Sequence, residues 1–215
     1  MDEKIQKINL FYILAYILGP AAVCVLSFMI GYFCFRDGGA GAVIFDMIIP
    51  ILAVIWWIFG GSYIFKNNTK KLEREFSKAG YKRNHTFYGR GKTVVLDIEQ
   101  GMLGITFYWN PGQFYILPAS RVTKAWTDDG KMGSGFMEGS SRVSFLFTID
   151  DIKVRVDTFT SNQRFRMDDK HILTGISKAD MMVKSIEEAK ANSEKAHKSR
   201  KSKDATKDTN SKKAE

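Results

Sequence analysis

Apolar residues run almost unbroken from Asn9 to Phe35 and again from Ala42 to Phe65, with six residues between the two stretches. An α-helix rises about 1.5 Å per residue, so roughly 20 such residues cross a hydrocarbon core. The pattern therefore predicts a membrane α-hairpin of two transmembrane helices over residues 9–65, preceded by a short stub at 1–8. Asp46 is the only side chain in the two stretches that is charged at neutral pH. It lies about one turn into the second span, within reach of the interface or of Arg36. Gly19-Pro20 is expected to kink the first span, because proline removes a helical hydrogen bond. Trp56 and Trp57 sit too deep for an interfacial belt and are expected to pack on the first span or on another protein.

After the second span the pattern changes twice. Residues 66–83 form a basic juxtamembrane segment in which Leu72, Phe76 and Ala79 recur at helical spacing, which reads either as a short interfacial helix or as an ordinary positive-inside flank. From Thr93 the period is two. Val94, Leu96 and Ile98 lead to a turn at Glu99-Gln100-Gly101. Leu103, Ile105, Phe107 and Trp109 follow, closed by Asn110-Pro111-Gly112. Phe114, Ile116 and Val122 to Trp126 come next, ended by Asp128-Asp129-Gly130. A glycine-rich loop over 130–141 precedes Val143, Phe145, Phe147 and Ile149, and Asp150-Asp151 turns the chain into Ile152, Val154 and Val156. Six short strands joined by turn residues predict an antiparallel sandwich or partly open barrel, with a seventh strand near His85 to Tyr88 or Arg164 to Met167. Ser177 and Asp180 resemble a capping box, and Ala179, Met182, Val183, Ile186 and Ala189 form the apolar stripe of one helix that caps the β-structure. The β domain with its C-terminal helix spans 84–191. A low-complexity basic tail over 192–215 is expected to be disordered.

The net charge of +9 is unevenly spread. Residues 66–83 carry seven Lys and Arg against two Glu, and the tail carries eight against four, whereas 84–191 carries fourteen against thirteen. The folded domain is thus nearly neutral, which argues against a nucleic-acid binder. The same distribution sets an orientation. Lys4 and Lys7 precede the hairpin and seven basic residues follow it, while the connecting loop holds Arg36 balanced by Asp37. Positive residues stay on the cytoplasmic side. The expected location is the cytoplasmic membrane, multi-pass, with both termini in the cytoplasm. Cys24 and Cys34 are ten residues apart on one predicted helix, about 15 Å along its axis, and cannot bond to each other.

Strands that include Phe114-Tyr115-Ile116-Leu117-Pro118-Ala119-Ser120-Arg121-Val122-Thr123-Lys124-Ala125-Trp126, followed by the closing Ile176-Ser177-Lys178-Ala179-Asp180-Met181-Met182, give an order of elements that resembles the bacterial pleckstrin-homology-like domains, many of which are tethered to membranes. The resemblance covers about 100 residues and implies a binding or assembly module, since such domains are not usually enzymes.

The residues themselves offer little catalytic chemistry. Gly91-Lys92-Thr93 ends like a phosphate-binding loop, but Thr86 stands where its first glycine belongs and a strand follows where a helix is needed. His85, His171 and His197 share no metal-ligand spacing. The Asp pairs at 128–129, 150–151 and 168–169 fall at predicted turns. No serine sits in a nucleophile elbow. The expectation is a membrane-anchored, non-catalytic binding or assembly module with no cofactor or metal. Beyond the bilayer that holds it, its partner is a membrane protein or a second copy. An anionic-lipid sensor and an accessory subunit of a transporter or channel are the alternatives. Membrane-surface contact falls to Lys66, Lys70, Lys71, Arg74, Lys78, Lys82 and Arg83. A partner surface falls to Arg121, Lys124, Arg142, Lys153 and Arg155, which alternate with core positions.

Overall fold

A computed structural model describes residues 5–36, 38–110, 112–132 and 139–211. The start of the stub, Asp37 of the connecting loop, Pro111, most of the glycine-rich loop (133–138) and residues 212–215 lie outside the described residues. The chain divides into two compact units. Among the described residues, a helical unit holds those of 6–71 and 106–114, and a β unit holds Ile5 and those of 72–105 and 115–211.

In the helical unit, α1 (Leu10–Cys34) begins where the Asn9 side chain accepts from the Tyr12 N–H at 3.1 Å, an N-cap that satisfies one of the helix's orphan donors. Pro20 lies inside α1, which continues past it to Cys34. The second span starts with α2 (Ala40–Val43), passes through a π turn at Ile44–Ile48, and continues as α3 (Ile49–Lys78). The two long runs, Leu10–Cys34 and Ala40–Lys78, are long and apolar enough to cross a membrane. A π turn breaks the i→i−4 ladder, and the Phe45 carbonyl inside it accepts from the Ser27 hydroxyl of α1. Asp46, in the same turn, lies against buried Gly31: a methyl group added there would sit 1.9 Å from the Asp46 Oδ1. No ion pair joins Asp46 to Arg36 among the described residues, so the carboxylate packs on a glycine of the first span instead.

α3 differs from the sequence reading in extent. It does not end at Phe65 to be followed by a separate interfacial helix; it runs unbroken to Lys78. No Pro or Gly interrupts 62–79, and Leu72 and Phe76 are fully buried in the β unit rather than turned toward headgroups. Gly104 on β3 lets them approach, since a methyl group there would meet Leu72 at 3.0 Å and Phe76 at 3.1 Å.

The β unit is built on seven strands: β1 (His85–Gly89), β2 (Lys92–Asp97), β3 (Met102–Phe107), β4 (Phe114–Pro118), β5 (Val122–Asp128), β6 (Gly139–Ile149) and β7 (Ile152–Arg166). They form two antiparallel sheets, ordered β1-β2-β3-β4 and β5-β6-β7. The sheets do not close into a barrel. The seventh strand is the one at His85. Val94, Leu96, Leu103, Ile105, Phe145, Phe147 and Ile149 are buried as their alternation predicts. In β4 the inward pair is Tyr115 and Leu117, with Phe114 and Ile116 half-buried, so its register is opposite to that expected. Phe87 of one sheet meets Phe145 of the other edge to face at 5.5 Å.

Two turns make the register firm. Asp150 and Asp151 occupy the β6–β7 turn with φ of 47° and 64°, joining Ile149 to its partner Ile152. Asp tolerates that left-handed region better than most residues. At the β2–β3 turn Gly101 has φ of 64°, and a methyl group there would come within 2.4 Å of the Ser193 nitrogen. Only glycine fits so close to the final helix.

That helix, α4 (Lys170–Ser211), starts earlier and ends later than the sequence pattern suggests. The capping residue is Asp169, whose carbonyl accepts from Leu173 and whose carboxylate accepts from the His171 N–H at 2.8 Å. The His171 N–H, and then the His171 ring, hold the Asp169 carboxyl below its usual range. Ser177, expected as the cap, is inside the helix because Gly175 is tolerated within it: Gly175 packs against Phe159 and Val143 where a larger residue would clash. The stripe is as expected, with Ala179, Ile186 and Ala189 buried. Beyond Ala191 the helix carries on through most of the segment assigned to a disordered tail, since no Pro or Gly follows Gly175 to stop it.

Candidate functional site

The strongest constellation is the outer face of the β5-β6-β7 sheet. In β5, Lys124, Trp126 and Asp128 point to one side. In β7, Lys153, Arg155 and Asp157 do the same. Both strands run antiparallel to β6, so their residues meet across it in three rows. Lys124, Thr148 and Lys153 form the first, Trp126, Leu146 and Arg155 the second, and Asp128, Ser144 and Asp157 the third. Strands lie about 4.8 Å apart and alternate residues about 7 Å apart, so the nine side chains cover one small patch.

Its geometry is specific. The Lys124 ammonium sits 5.2 Å and the Lys153 ammonium 5.0 Å from the centre of the Trp126 ring, both within cation–π range. Leu146 is fully buried beneath the middle row. Arg155 pairs with Asp128, and Asp157 accepts from Ser144 at 2.7 Å while Arg142 approaches it at 3.5 Å. The patch is therefore bipolar. Its Lys end carries two positive charges around an aromatic ring, and at its Asp end both carboxylates are already engaged by arginines.

The sequence-predicted partner residues meet different fates here. Lys124, Lys153 and Arg155 come together, and Arg142 borders them through Asp157. Arg121 does not join them: its guanidinium grips the Asp150 carboxylate with two nitrogens at the β6–β7 turn. Trp126 and Thr148 were not singled out by the sequence. The matched spacing Lys-x-Trp-x-Asp and Lys-x-Arg-x-Asp in two strands is the signal that finds them.

The seven basic residues assigned to membrane contact divide between the units. Lys66, Lys70 and Lys71 belong to the helical unit and are exposed, with no ion pair among the described residues. The other four are in the β unit. Arg74 and Lys78 meet Glu75 at 3.5 and 2.8 Å, Lys82 meets Glu99 at 2.6 Å, and Arg83 meets Glu73 at 3.2 Å. The Lys92 of the phosphate-loop lookalike sits at the end of the β1–β2 hairpin and donates to the Arg155 carbonyl at 2.5 Å. No cluster of three or more His, Cys, Asp or Glu suited to a metal occurs among the described residues. Asp128 and Asp129 accept from the N–H groups of Gly130 and Lys131, each at 3.1 Å, as turn carboxylates do.

No family model, curated protein or solved structure matches the chain.

Two further concavities are present. A groove of about 390 Å³ in the helical unit runs between α1 and α3, lined by residues including Gly19, Pro20, Ala53, Trp56 and Trp57. The two tryptophans are 56% and 46% exposed, so they wall this groove rather than bury themselves against α1. A cleft of about 320 Å³ in the β unit is lined by Tyr81, Gln100, Ser120, Ser193 and His197 among others.

The helical unit also holds a polar collar that the sequence did not suggest. The Asn9 N–H donates to the Trp109 carbonyl at 2.8 Å and the Asn110 amide to the Gln6 carbonyl at 2.7 Å. Tyr16 donates to the Trp57 carbonyl. Gly61 makes room for the hydroxyls of Tyr108 and Tyr16, which lie 2.1 and 2.7 Å from where its methyl group would stand. Burial, and then the neighbouring Tyr16 hydroxyl, push the Tyr108 phenol up to about 12.

Proposed function

We propose that this protein is an integral protein of the cytoplasmic membrane, both termini cytoplasmic, whose pleckstrin-homology-like domain is a non-catalytic binding and assembly module. The observation that carries this reading is the bipolar Trp126 patch on the outer face of β5-β6-β7, in a chain that also has two helices suited to a bilayer. Tryptophan and arginine dominate the energetics of protein interfaces, whereas an isolated solvated face gains nothing by gathering them. The excess of Lys and Arg around the hairpin supports the orientation. The two sheets of four and three strands with a closing helix support the domain type.

The test is amine-reactive crosslinking of the full-length protein in intact membranes, followed by detergent extraction. A discrete adduct of defined mass, either a dimer or a complex with one other membrane protein, is the expected outcome. Recovery of the monomer alone at every crosslinker length would overturn the reading.

A second reading, an anionic-lipid sensor, draws on Lys66, Lys70 and Lys71, which are exposed and carry no ion pair among the described residues. Each basic residue near an anionic surface contributes about 1 kcal/mol. Accumulation of phosphatidylserine around the reconstituted protein, lost when the three are changed to Gln, would favour it.

A further inference from the structure

We infer that the outer face of the β5-β6-β7 sheet docks an acidic protein segment, placing a carboxylate between Lys124 and Lys153 and an apolar side chain on Trp126. The inference rests on the binding-module reading and names the chemistry of its partner.

Row order sets the chemistry of the occupant. Lys124 and Lys153 stand in one row with the Thr148 hydroxyl between them, so a carboxylate there meets two ammonium groups and one hydroxyl donor. One row further, Trp126 presents a partly buried aromatic ring beside buried Leu146, an apolar seat of the kind that anchors an interface. In the third row Asp128 and Asp157 are each held by an arginine. Charge changes sign once over about 13 Å along the strands, from the lysine row to the aspartate row.

That change of sign favours a protein over a bilayer. A headgroup layer is uniformly anionic and would press negative charge on Asp128 and Asp157 along with the lysines. A polypeptide places its carboxylate at one end only and leaves the Asp end to neutral or basic groups. Among the described residues no carboxylate pairs with the Lys124 ammonium, which lies over the Trp126 ring.

Zero-length carbodiimide coupling in intact membranes tests this on the full-length protein, because it joins a lysine only to a carboxylate already in contact. The expected product is an isopeptide from Lys124 or Lys153 to an Asp or Glu of another polypeptide. Its yield should fall about tenfold or more in Trp126→Ala, which keeps both lysines as nucleophiles. Isopeptides to another protein formed only elsewhere, for instance at Lys70 or Lys71, would overturn the inference while leaving the binding module standing. No intermolecular product at any lysine would count against both. If phosphatidylserine vesicles, with no second protein present, shield Lys124 and Lys153 from acetylation, the face belongs to lipid and the inference fails.

Discussion

The helical unit and the β unit put the same kinds of side chain on opposite sides. In the helical unit Phe11, Leu18, Leu26 and Ile55 face outward while Ser27, Gly31, Gly61 and Asn68 are buried. In the β unit Phe145, Phe147, Leu103 and Ile105 are buried, and the outer faces carry lysine, arginine and aspartate. The hydrophobic effect in water explains the second arrangement; the first is what helices suited to a bilayer would adopt, since apolar groups gain nothing by leaving a medium as apolar as themselves. The helical unit is held instead by close approach at glycines and by hydrogen bonds such as Ser27 to Phe45 and Tyr16 to Trp57. One chain thus follows two rules of packing, and each rule predicts a different response to the same substitution.

The largest effect should come from the β core. Phe145→Ala removes a fully buried ring that meets both Phe87 and Phe147, and is expected to destabilise the β unit by about 3–5 kcal/mol. Hydrogen exchange of the full-length protein in detergent would register it as lost protection in β6. Gly101→Ala should follow at roughly 3 kcal/mol, because it combines a left-handed backbone with a clash against α4 backbone that no side-chain rotation can relieve. Limited proteolysis within the β2–β3 turn would reveal it.

In the helical unit the expected effects are smaller and differ in kind. Gly31→Ala forces Asp46 aside and should cost about 1–2 kcal/mol, most of which returns when Asp46→Ala is added. The pair can be read from the detergent concentration or temperature at which the hairpin opens, and simple additivity would refute the contact. For Tyr108 the sign is fixed by linkage: a phenol with a raised folded-state pKa contributes stability that is intact below about pH 10 and lost as pH rises toward 12. Ultraviolet titration should show one tyrosine ionising near the top of that window, and Tyr108→Phe should remove it. Least of all, Leu18→Ala, on the outward face of α1, should change stability by less than about 0.5 kcal/mol in detergent, against several for a comparable truncation inside the β unit.

How far the sequence revealed these features follows the same division. Period-two alternation located β2, β3, β6 and β7, because polar residues such as Asp97, Thr106 and Ser144 stand on the second face even though they too are buried, and run length located the two long apolar helices. It misjudged β4, where Phe114-Tyr115-Ile116-Leu117 is apolar on both faces and the pattern has no phase. It misplaced both ends of α4, since Asp169 and Ser177 look equally like caps until Gly175 is seen packed in a narrow gap. The candidate binding surface was legible only as scattered charges. Lys124, Lys153 and Arg155 could be named from alternation, but their convergence on Trp126 depends on β6 lying between β5 and β7, a pairing fixed by strand order. The collar around Tyr108 was invisible for a related reason, as its partners are about 40 to 100 residues apart in sequence.

The π turn at Ile44–Ile48 has a consequence for how this chain can vary in length. A π turn is equivalent to one residue inserted into an α-helix. Loss of any single codon within that stretch would restore regular winding and rotate everything on one side of it by about 100° relative to the other. Asp46 would then swing off Gly31 and the Phe45 carbonyl off Ser27, without one change in residue type. Point substitutions across these five positions should be borne far more readily than an in-frame deletion of one of them.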